Sequence, residues 1–301
     1  MKIVIIGANG QLGSDLRRVL AGQDVSLFPF LHRDLDVMNS AQVDQVLGSI
    51  QPDVVISTAA YHKVEECEQQ PALSFGVNAV GPRNLALACR CSNAVLVHFS
   101  TDYVFDGARQ QPYTETDLPH PLNVYGISKL AGEGMVALTW ERHFVIRTCG
   151  LYGVAGSSGK GGNFVETMLR KAAEGAPIRV VDDQVLTPTF TGDLAEGVAR
   201  LLDTEVYGLY HISAEGECSW YEFARKIFEL EGVKVNLTPV STREFPSPVQ
   251  RPAYSVLSKE KLKRLGITMA RWEEALGRYL AARPRDEKRT ETASRDRSTL
   301  V

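Results

Sequence analysis

Residues 2–13, which read KIVIIGANGQLG, decide the fold. The run from Ile3 to Ile6 is continuous, apolar and rich in β-branched residues, which is typical of a strand buried on both faces of a parallel sheet. A glycine turn follows, and then a helical pattern with Leu12 and Leu16 on one side. A strand, a glycine turn and a helix in this order predict that free N–H groups and the positive end of a helix dipole face a phosphate.

The glycines of this turn are spaced G-x-x-G-x-x-G. Gly7 permits the tight turn, Gly10 lets the backbone approach a pyrophosphate, and Gly13 lets the helix pack closely against the strand. The spacing is similar to that of short-chain dehydrogenases of the extended type. A glycine turn can also be purely structural, so the rest of the chain has to supply the context.

The chain beyond this turn alternates strand and helix patterns. The predicted strands span Val25 to Phe30, Val54 to Ile56, Val95 to Phe99 and Phe144 to Arg147, and the predicted helices between them span Ser40 to Ile50 and Ala72 to Cys91. Ser40 is the expected N-cap of its helix, and Asn78 is a polar residue expected to be buried. This alternation predicts an α/β protein with a Rossmann-type, doubly wound parallel sheet.

The end of the second strand bears on the choice of cofactor. An acidic residue there would bind a ribose 2′-hydroxyl and favour NAD. This chain has His32 and Arg33 instead. Either could accept a 2′-phosphate, which favours NADPH, or both could be exposed loop residues, which leaves NADH open. Residues 35–37 form a predicted adenine-side segment, with Asp36 reaching the adenine edge.

Small and hydroxylated residues follow two later strands. Ala59 and Ala60 come after the third strand, where small side chains would let a cofactor pass close to the backbone. Thr101 is a hydroxyl at the end of the fourth strand. Because ligands of open α/β sheets lie outside the carboxyl ends of the strands, we expect these residues to share one crevice with the glycine turn.

Tyr125 and Lys129 are four residues apart in a predicted helix and therefore lie on one face of it. A nearby ammonium favours the phenolate, so we expect the pKa of Tyr125 to be lowered. A phenol of this kind can pass a proton to or from a substrate oxygen. The alternative is a half-buried tyrosine beside a solvated lysine.

Composition limits the classes of function. The 301 residues carry a net charge of −3, which implies no broad cationic face for nucleic acid or an anionic membrane. No stretch has the length of a signal peptide or a membrane span. The five cysteines have no metal-binding spacing, and we interpret them as free thiols in a cytoplasmic protein. Asp182 and Asp183 suggest a turn, and we assign no metal.

The remaining elements predict two lobes. We expect residues 1–150 and about 189–212 to form the dinucleotide-binding domain, and about 151–188 and 213–282 to form a smaller α/β lobe for the substrate. Val154 to Gly162 is a Gly/Ser-rich loop, interpreted as mobile. Residues 283–301 are polar and charged and are interpreted as a disordered tail.

Three stretches carry a resemblance to a known family. They are residues 7–13 (GANGQLG), 100–107 (STDYVFDG) and 121–133 (PLNVYGISKLAGE). Smaller matches follow at Arg147-Thr148, Gly162-Asn163-Phe164, Asp183-Gln184 and Arg251-Pro252. Together they resemble the dTDP-4-dehydrorhamnose reductase family, and the resemblance extends to about Leu280.

The resemblance implies NAD(P)H-dependent reduction of the 4-keto group of dTDP-4-dehydro-L-rhamnose to dTDP-L-rhamnose. It implies a triad of Thr101, Tyr125 and Lys129, in which Tyr125 donates the proton, Thr101 holds the keto oxygen and Lys129 binds the nicotinamide ribose. The expected cofactor-binding residues are Gly7, Asn9, Gly10, Gln11, Leu12, Gly13, Arg33, Asp36, Val37, Ala59, Ala60, His62, Phe99, Tyr125 and Lys129. The expected substrate-binding residues are Thr101, Asp102, Tyr125, Asn163 and Arg251.

Arg251 is a reasonable partner for the diphosphate of a nucleotide sugar, or else a surface residue that caps a loop. Trp220 and Trp272 are expected to be core anchors rather than stacking surfaces for the base. Some family members have Trp at the position of Gly150, which leaves the identity of the sugar open. His62 stands where Thr is common.

Two other readings stay open. One is a nucleotide-sugar epimerase or dehydratase, although dehydratases carry an acidic residue where this chain has Tyr103 after Asp102. The other is a non-catalytic NADP-binding subunit, similar to the β subunit of methionine adenosyltransferase. A homodimer also stays open.

Overall fold

The structure is a computed structural model that describes residues 1–155, 162–245 and 247–284. Its strands are β1 (Lys2–Ile6), β2 (Ser26–Phe30), β3 (Val54–Ser57), β4 (Val95–Thr101), β5 (His143–Thr148), β6 (Leu151–Tyr152), β7 (Ile178–Val181), β8 (Val185–Leu186), β9 (Thr189–Phe190), β10 (Gly208–His211), β11 (Cys218–Ser219) and β12 (Leu237–Val240). Its α-helices are α1 (Gln11–Leu20), α2 (Ser40–Ile50), α3 (Val64–Gln69), α4 (Pro71–Phe75), α5 (Gly81–Ser92), α6 (Val124–Thr139), α7 (Phe164–Glu174), α8 (Thr191–Leu202), α9 (Trp220–Glu231), α10 (Glu260–Lys263) and α11 (Trp272–Ala282).

The main sheet is parallel and has the strand order β10-β5-β4-β3-β1-β2. The chain therefore adds strands in one direction from β1 to β2 and in the other direction from β3 onward. At such a reversal the connections leave on opposite faces, and a crevice opens at the carboxyl ends of the strands. The predicted Rossmann-type, doubly wound sheet is confirmed.

Strand β1 contributes to the hydrophobic cores on both faces of this sheet, as its unbroken apolar run predicts. Ile3 and Ile5 pack with α1 and α8 on one face. Val4 and Ile6 pack with α2 and α5 on the other. All four side chains are at most 1% exposed.

A third core lies in the C-terminal part of the chain. It joins α7, α9 and α11 through residues such as Tyr152, Phe223, Trp272 and Tyr279. The pairs β7–β12, β8–β11 and β6–β9 border it. This core resembles the predicted substrate lobe in extent, although Phe190 also belongs to it, and the division into two lobes stays a prediction.

Two predicted segments fall largely on residues that the structure does not describe. These are residues 156–161 of the predicted mobile loop and 285–301 of the predicted tail. Arg283, which begins that tail, is buried, and its Nη2 lies 2.7 Å from Glu231 Oε2. Within the described ranges no helix is long and apolar enough to cross a bilayer.

Local differences from the prediction have identifiable causes. The helix expected from Ala72 to Cys91 is α4 and α5 joined by a π-helical turn, Gly76–Val80. Pro82 has no N–H to donate to the carbonyl of Asn78, and the N–H of Gly81 reaches back to the carbonyl of Gly76 instead. The N-cap of α2 is Asn39, not Ser40, because the Asn39 side chain accepts the Gln42 N–H at 3.1 Å.

Candidate active site

A crevice of about 580 Å³ lies at the carboxyl ends of the central strands, between the glycine turn and the C-terminal segments. The predicted site residues that line it are Gly10, Gln11, Leu12, Ala60, His62, Phe99, Thr101, Asp102, Tyr125, Lys129 and Asn163. The predicted site residues outside this lining are Gly7, Asn9, Gly13, Arg33, Asp36, Val37, Ala59 and Arg251. The crevice thus brings together the glycine turn, the carboxyl ends of β3 and β4, and helix α6, which carries Tyr125.

The glycine turn has the shape that a pyrophosphate requires. Gly7 has φ +78°, and a Cβ there would lie 2.5 Å from the Thr58 hydroxyl oxygen. A Cβ on Gly13 would lie 2.9 Å from the Cα of Ala8. No side chain caps α1 at Gly10, so its first N–H groups stay available to a ligand in the crevice. Gly7 and Gly13 therefore shape the turn, and Gly10 borders the crevice.

The residues predicted near the adenine ribose lie beyond the crevice. The Arg33 side chain is 81% exposed, and its Nε lies 3.6 Å from Asp34 Oδ1. Asp36 accepts the Met38 N–H at 2.9 Å, and Val37 is buried in a core. None of these positions decides between NADPH and NADH, and their roles stay predictions.

Asn78 holds the loop after β3 against helix α6. Its Oδ1 accepts the Tyr61 N–H at 2.8 Å, and its Nδ2 donates to the Tyr61 carbonyl at 2.9 Å and to the Ser128 hydroxyl at 3.0 Å. The prediction that Asn78 is a buried polar residue is confirmed. These bonds set the position of Ala60 and His62 relative to the helix that carries Tyr125.

Thr101 and Tyr125 meet at the floor of the crevice. Thr101 is the last residue of β4 and is buried. Tyr125 lies in the first turn of α6, which Asn123 caps by accepting the Gly126 N–H at 2.8 Å. The Thr101 hydroxyl is close enough to Tyr125 to lower the pKa of the phenol, and both residues line the crevice. Two hydroxyls on different elements can therefore address one oxygen atom of a ligand.

The lowered pKa expected for Tyr125 is wrong. Burial raises the pKa of this phenol, the Thr101 hydroxyl lowers it, and the nearby Asp102 raises it. Burial also lowers the pKa of Lys129 to about 8, against the opposing effect of Glu133. Loss of hydration outweighs the i, i+4 attraction here. At neutral pH the site therefore holds a protonated phenol and an ammonium.

Asp102 is a buried carboxyl beside these hydroxyls. Its Oδ1 accepts from the Thr101 hydroxyl at 3.0 Å, and its Oδ2 accepts from the Ser255 hydroxyl at 2.6 Å. Burial raises the pKa of Asp102 to about 6, although both of these hydrogen bonds lower it. The sequence gives no local sign that Ser255, far along the chain, completes this group.

Two of the predicted substrate-binding residues, Asn163 and Arg251, are already engaged within the protein. Asn163 caps α7 by accepting the Glu166 N–H at 3.1 Å, and its Nδ2 donates to Gly153 O at 3.1 Å and Tyr279 Oη at 3.0 Å. Arg251 pairs with Glu65 and donates to Ser247 Oγ at 3.0 Å. Their roles toward a substrate stay predictions.

Other residues along the substrate side of the crevice were not assigned from the sequence. Trp220, expected as a core anchor, is only half-buried and lines the crevice, with its ring centroid 4.6 Å from that of Phe164. Trp272 is buried, as predicted. Gln184 also borders the crevice and donates to the Thr242 hydroxyl at 3.0 Å. The capping-box pattern of α9 predicts where a helix begins but not which way its first aromatic ring faces.

Gly150 lines the crevice in a conformation that a larger residue would strain. Its φ is +57°, and a Cβ would lie 2.9 Å from Leu186 Cδ1. A ring such as some family members have at this position would therefore strain the backbone of this chain. Asp182 and Asp183 hold a turn here, accepting from the hydroxyls of Ser219 and Thr242.

Comparison with known proteins adds a family to this geometry. The family model described as the RmlD substrate binding domain matches residues 1–284. The chain belongs to the RmlD substrate binding domain family. The fold of the chain and the 1–284 range of this match agree with the resemblance carried by the glycine turn, residues 100–107 and residues 121–133.

Known proteins are similar to this chain over nearly their whole length. The spore coat polysaccharide biosynthesis protein SpsK of Bacillus subtilis is 40% identical over 94% of this chain and 98% of that protein. A dTDP-4-dehydrorhamnose reductase of Mycobacterium tuberculosis is 40% identical over 93% of each chain. The crystal structure of dTDP-4-dehydrorhamnose reductase from Bacillus anthracis in complex with NADP is 43% identical, with a TM-score of 0.89 over 93% of this chain and 98% of that one.

Proposed function

We propose that this protein reduces the 4-keto group of dTDP-4-dehydro-L-rhamnose to dTDP-L-rhamnose with NADPH. The observation that carries this proposal is the meeting of Thr101 and Tyr125 in the crevice that the glycine turn borders. Relatives with the name dTDP-4-dehydrorhamnose reductase, one of them solved with NADP, support it. The uncapped α1 and the glycine turn fit a dinucleotide pyrophosphate.

Each side chain has one part in the reaction. Thr101 turns its hydroxyl from Asp102 to donate a hydrogen bond to the keto oxygen, and Tyr125 donates its proton to that oxygen as negative charge develops. The raised pKa of Tyr125 suits this direction, because the phenol is still protonated when the reaction begins. Lys129 stabilises the phenolate that remains. The bound cofactor supplies the hydride.

The other two readings make different demands. A dehydratase needs a further acid in the place of Tyr103, which instead packs edge-on against Tyr125 with ring centroids 5.9 Å apart. A non-catalytic subunit needs only the cofactor half of the crevice and no proton donor. The preference for NADPH, a homodimer and a cytoplasmic location stay predictions.

Purified protein mixed with NADPH and dTDP-4-dehydrorhamnose should consume the reduced nicotinamide, followed by its absorbance. Tyr125→Phe should lower kcat by about 10²–10⁴-fold, as loss of a proton donor does, with the affinity for NADPH retained. Tyr103→Phe is the matched control, because it removes a neighbouring phenol oxygen and should keep most of the turnover. Wild-type protein that binds NADPH but reduces no nucleotide sugar would contradict the proposal.

A further inference from the structure

A buried ion pair lies directly behind the proposed catalytic residues. Glu133 Oε1 and Oε2 accept from Arg147 Nε at 2.8 Å and Nη2 at 2.7 Å, and the Ser100 hydroxyl donates to the same Oε1 at 2.5 Å. Glu133 is 7% exposed and Arg147 is 2% exposed. Neither belongs to the lining of the crevice. The carboxylate is therefore held by three hydrogen bonds and has no freedom to turn elsewhere.

This ion pair is one helical turn from Lys129. Glu133 follows Lys129 by four residues in α6, so both side chains lie on the same face of the helix. Lys129 is 2% exposed, and Glu133 favours its charged form while burial opposes it. A buried cation held by a fixed anion keeps its charge and its position only as long as the anion stays in place.

The two histidines around this cluster carry no charge at neutral pH. His98 on β4 interacts with Lys129, and burial keeps the pKa of its ring well below the usual value. His211 on β10 lies 3.4 Å from Arg147 Nη1, and burial lowers its pKa to about 3. On the crevice side, Asp102 and Tyr125 are the titratable groups nearest the proposed chemistry. Within the described residues, Glu133 is therefore the charged group that acts on Lys129 from behind, and Arg147 holds the Glu133 carboxylate.

We propose that Glu133 and Arg147 are positioning residues that together set the charge of Lys129 and so tune the proton donor Tyr125. The proposal rests on the function proposed above, because Lys129 acts through Tyr125. Glu133 stabilises the ammonium, and Arg147 both fixes the Glu133 carboxylate and limits its effect by carrying the opposite charge.

The two partners must therefore have opposite effects when each is removed. Glu133→Gln leaves a buried cation beside Lys129, which favours the neutral amine. Arg147→Met leaves a buried anion, which favours the ammonium. A pair that served only to stabilise the fold would instead impair activity in the same way from either side, without moving the pH dependence in opposite directions.

The test is the pH profile of kcat/KM for the wild-type protein and both variants. The alkaline limb of the wild type should reflect Lys129, whose pKa is about 8. It should move to lower pH in Glu133→Gln and to higher pH in Arg147→Met, each by on the order of one pH unit. Shifts in the same direction, or no shift in either variant, would overturn the inference.

A measurement without substrate or cofactor keeps the inference falsifiable. The unfolding temperature of each protein is compared with that of its own Lys129→Met counterpart across pH 6 to about 11. A buried ammonium destabilises the folded state, and this cost begins to fall at the folded pKa of Lys129 and is gone above the unfolded pKa of about 10.4. The disappearance should begin at lower pH in the Glu133→Gln background than in wild type, and at higher pH in Arg147→Met.

Single variants that fail to fold still leave a test. The double variant Glu133→Gln/Arg147→Met removes both charges, which is tolerated more easily than an unpaired buried ion. With no opposed charges left, its alkaline limb should lie within about half a pH unit of the wild-type limb. A larger shift of the alkaline limb would contradict the claim that Glu133 and Arg147 have opposing effects on Lys129. Absence of turnover in wild-type protein would refute the proposed function, whereas turnover without these shifts would refute the inference alone.

Discussion

The cofactor half and the substrate half of the crevice are built from different kinds of contact. The cofactor half depends on a turn of seven residues, Gly7 to Gly13, whose backbone approaches itself and leaves α1 uncapped. The substrate half depends on partners far apart in the chain, such as Ser255 with Asp102 at a separation of 153 residues. Damage to the first half should therefore stay local, whereas damage to the second should loosen contacts between distant segments.

The largest effect should come from Gly13→Val, which breaks the cofactor half alone. The added side chain meets Ala8 and pushes α1 away from β1. Overpacking of this kind costs about 3 kcal/mol, so the Kd for NADPH should rise at least about 100-fold, as measured by fluorescence titration. Gly48→Ala is the control, because nothing lies within 4 Å of a Cβ there. NADPH binding at the wild-type level in Gly13→Val would contradict the claim that the cofactor half depends on the close packing of the glycine turn.

The next effect should come from Asn163→Ala in the substrate half. The substitution removes a helix cap and two buried hydrogen bonds, to Gly153 and Tyr279, and should cost about 3 kcal/mol of unfolding free energy. Asn39→Ala removes a similar cap on exposed α2 and should cost about 1 kcal/mol. Urea unfolding measures both. Equal losses would show that the long-range bonds add nothing to the cap.

The smallest effect should be a pH dependence of the unfolding free energy, which differs between variants of Asp102 and Asp183. Burial raises the folded pKa of Asp102 from 3.8 to about 6, so the unfolded chain releases this proton first and the fold loses stability as pH rises from about 4 to about 6. The stability of Asp102→Asn relative to wild type should therefore increase between about pH 4 and 6, by on the order of 2 kcal/mol, and stay constant above that range. The unfolding free energy at each pH checks this.

Asp183 is a control, because its pKa is shifted in the opposite direction from that of Asp102. Its carboxylate accepts from Thr242, and hydrogen bonds from that residue hold its pKa below the usual value against the opposing effect of burial. Its contribution is present above its unfolded pKa and is lost as pH falls. Asp183→Asn should therefore lose stability relative to wild type above about pH 4. A change of unfolding free energy in the same direction in both variants would contradict the assignment of burial as the cause of the raised pKa of Asp102.

Local patterns carried more of the prediction than long-range ones. The span of α2 and the strand end at Thr101 follow from a few neighbouring residues, and the structure has both of them. The pKa of Tyr125 did not follow, because the i, i+4 spacing describes the attraction of Lys129 but not the loss of water around both groups. The orientation of Trp220 depends on its contact with Phe164, from another helix.

The sequence by itself determined the sheet and the glycine turn, because these depend on apolar periodicity and on glycines within short segments. Only the tertiary structure decided that Ser255 completes the Asp102 group, that Asn163 and Arg251 already have partners, and that Glu133 and Arg147 flank Lys129 as a buried pair. The physical reason is that burial and charge depend on every segment packed around a group, and sequence spacing carries no information about those neighbours.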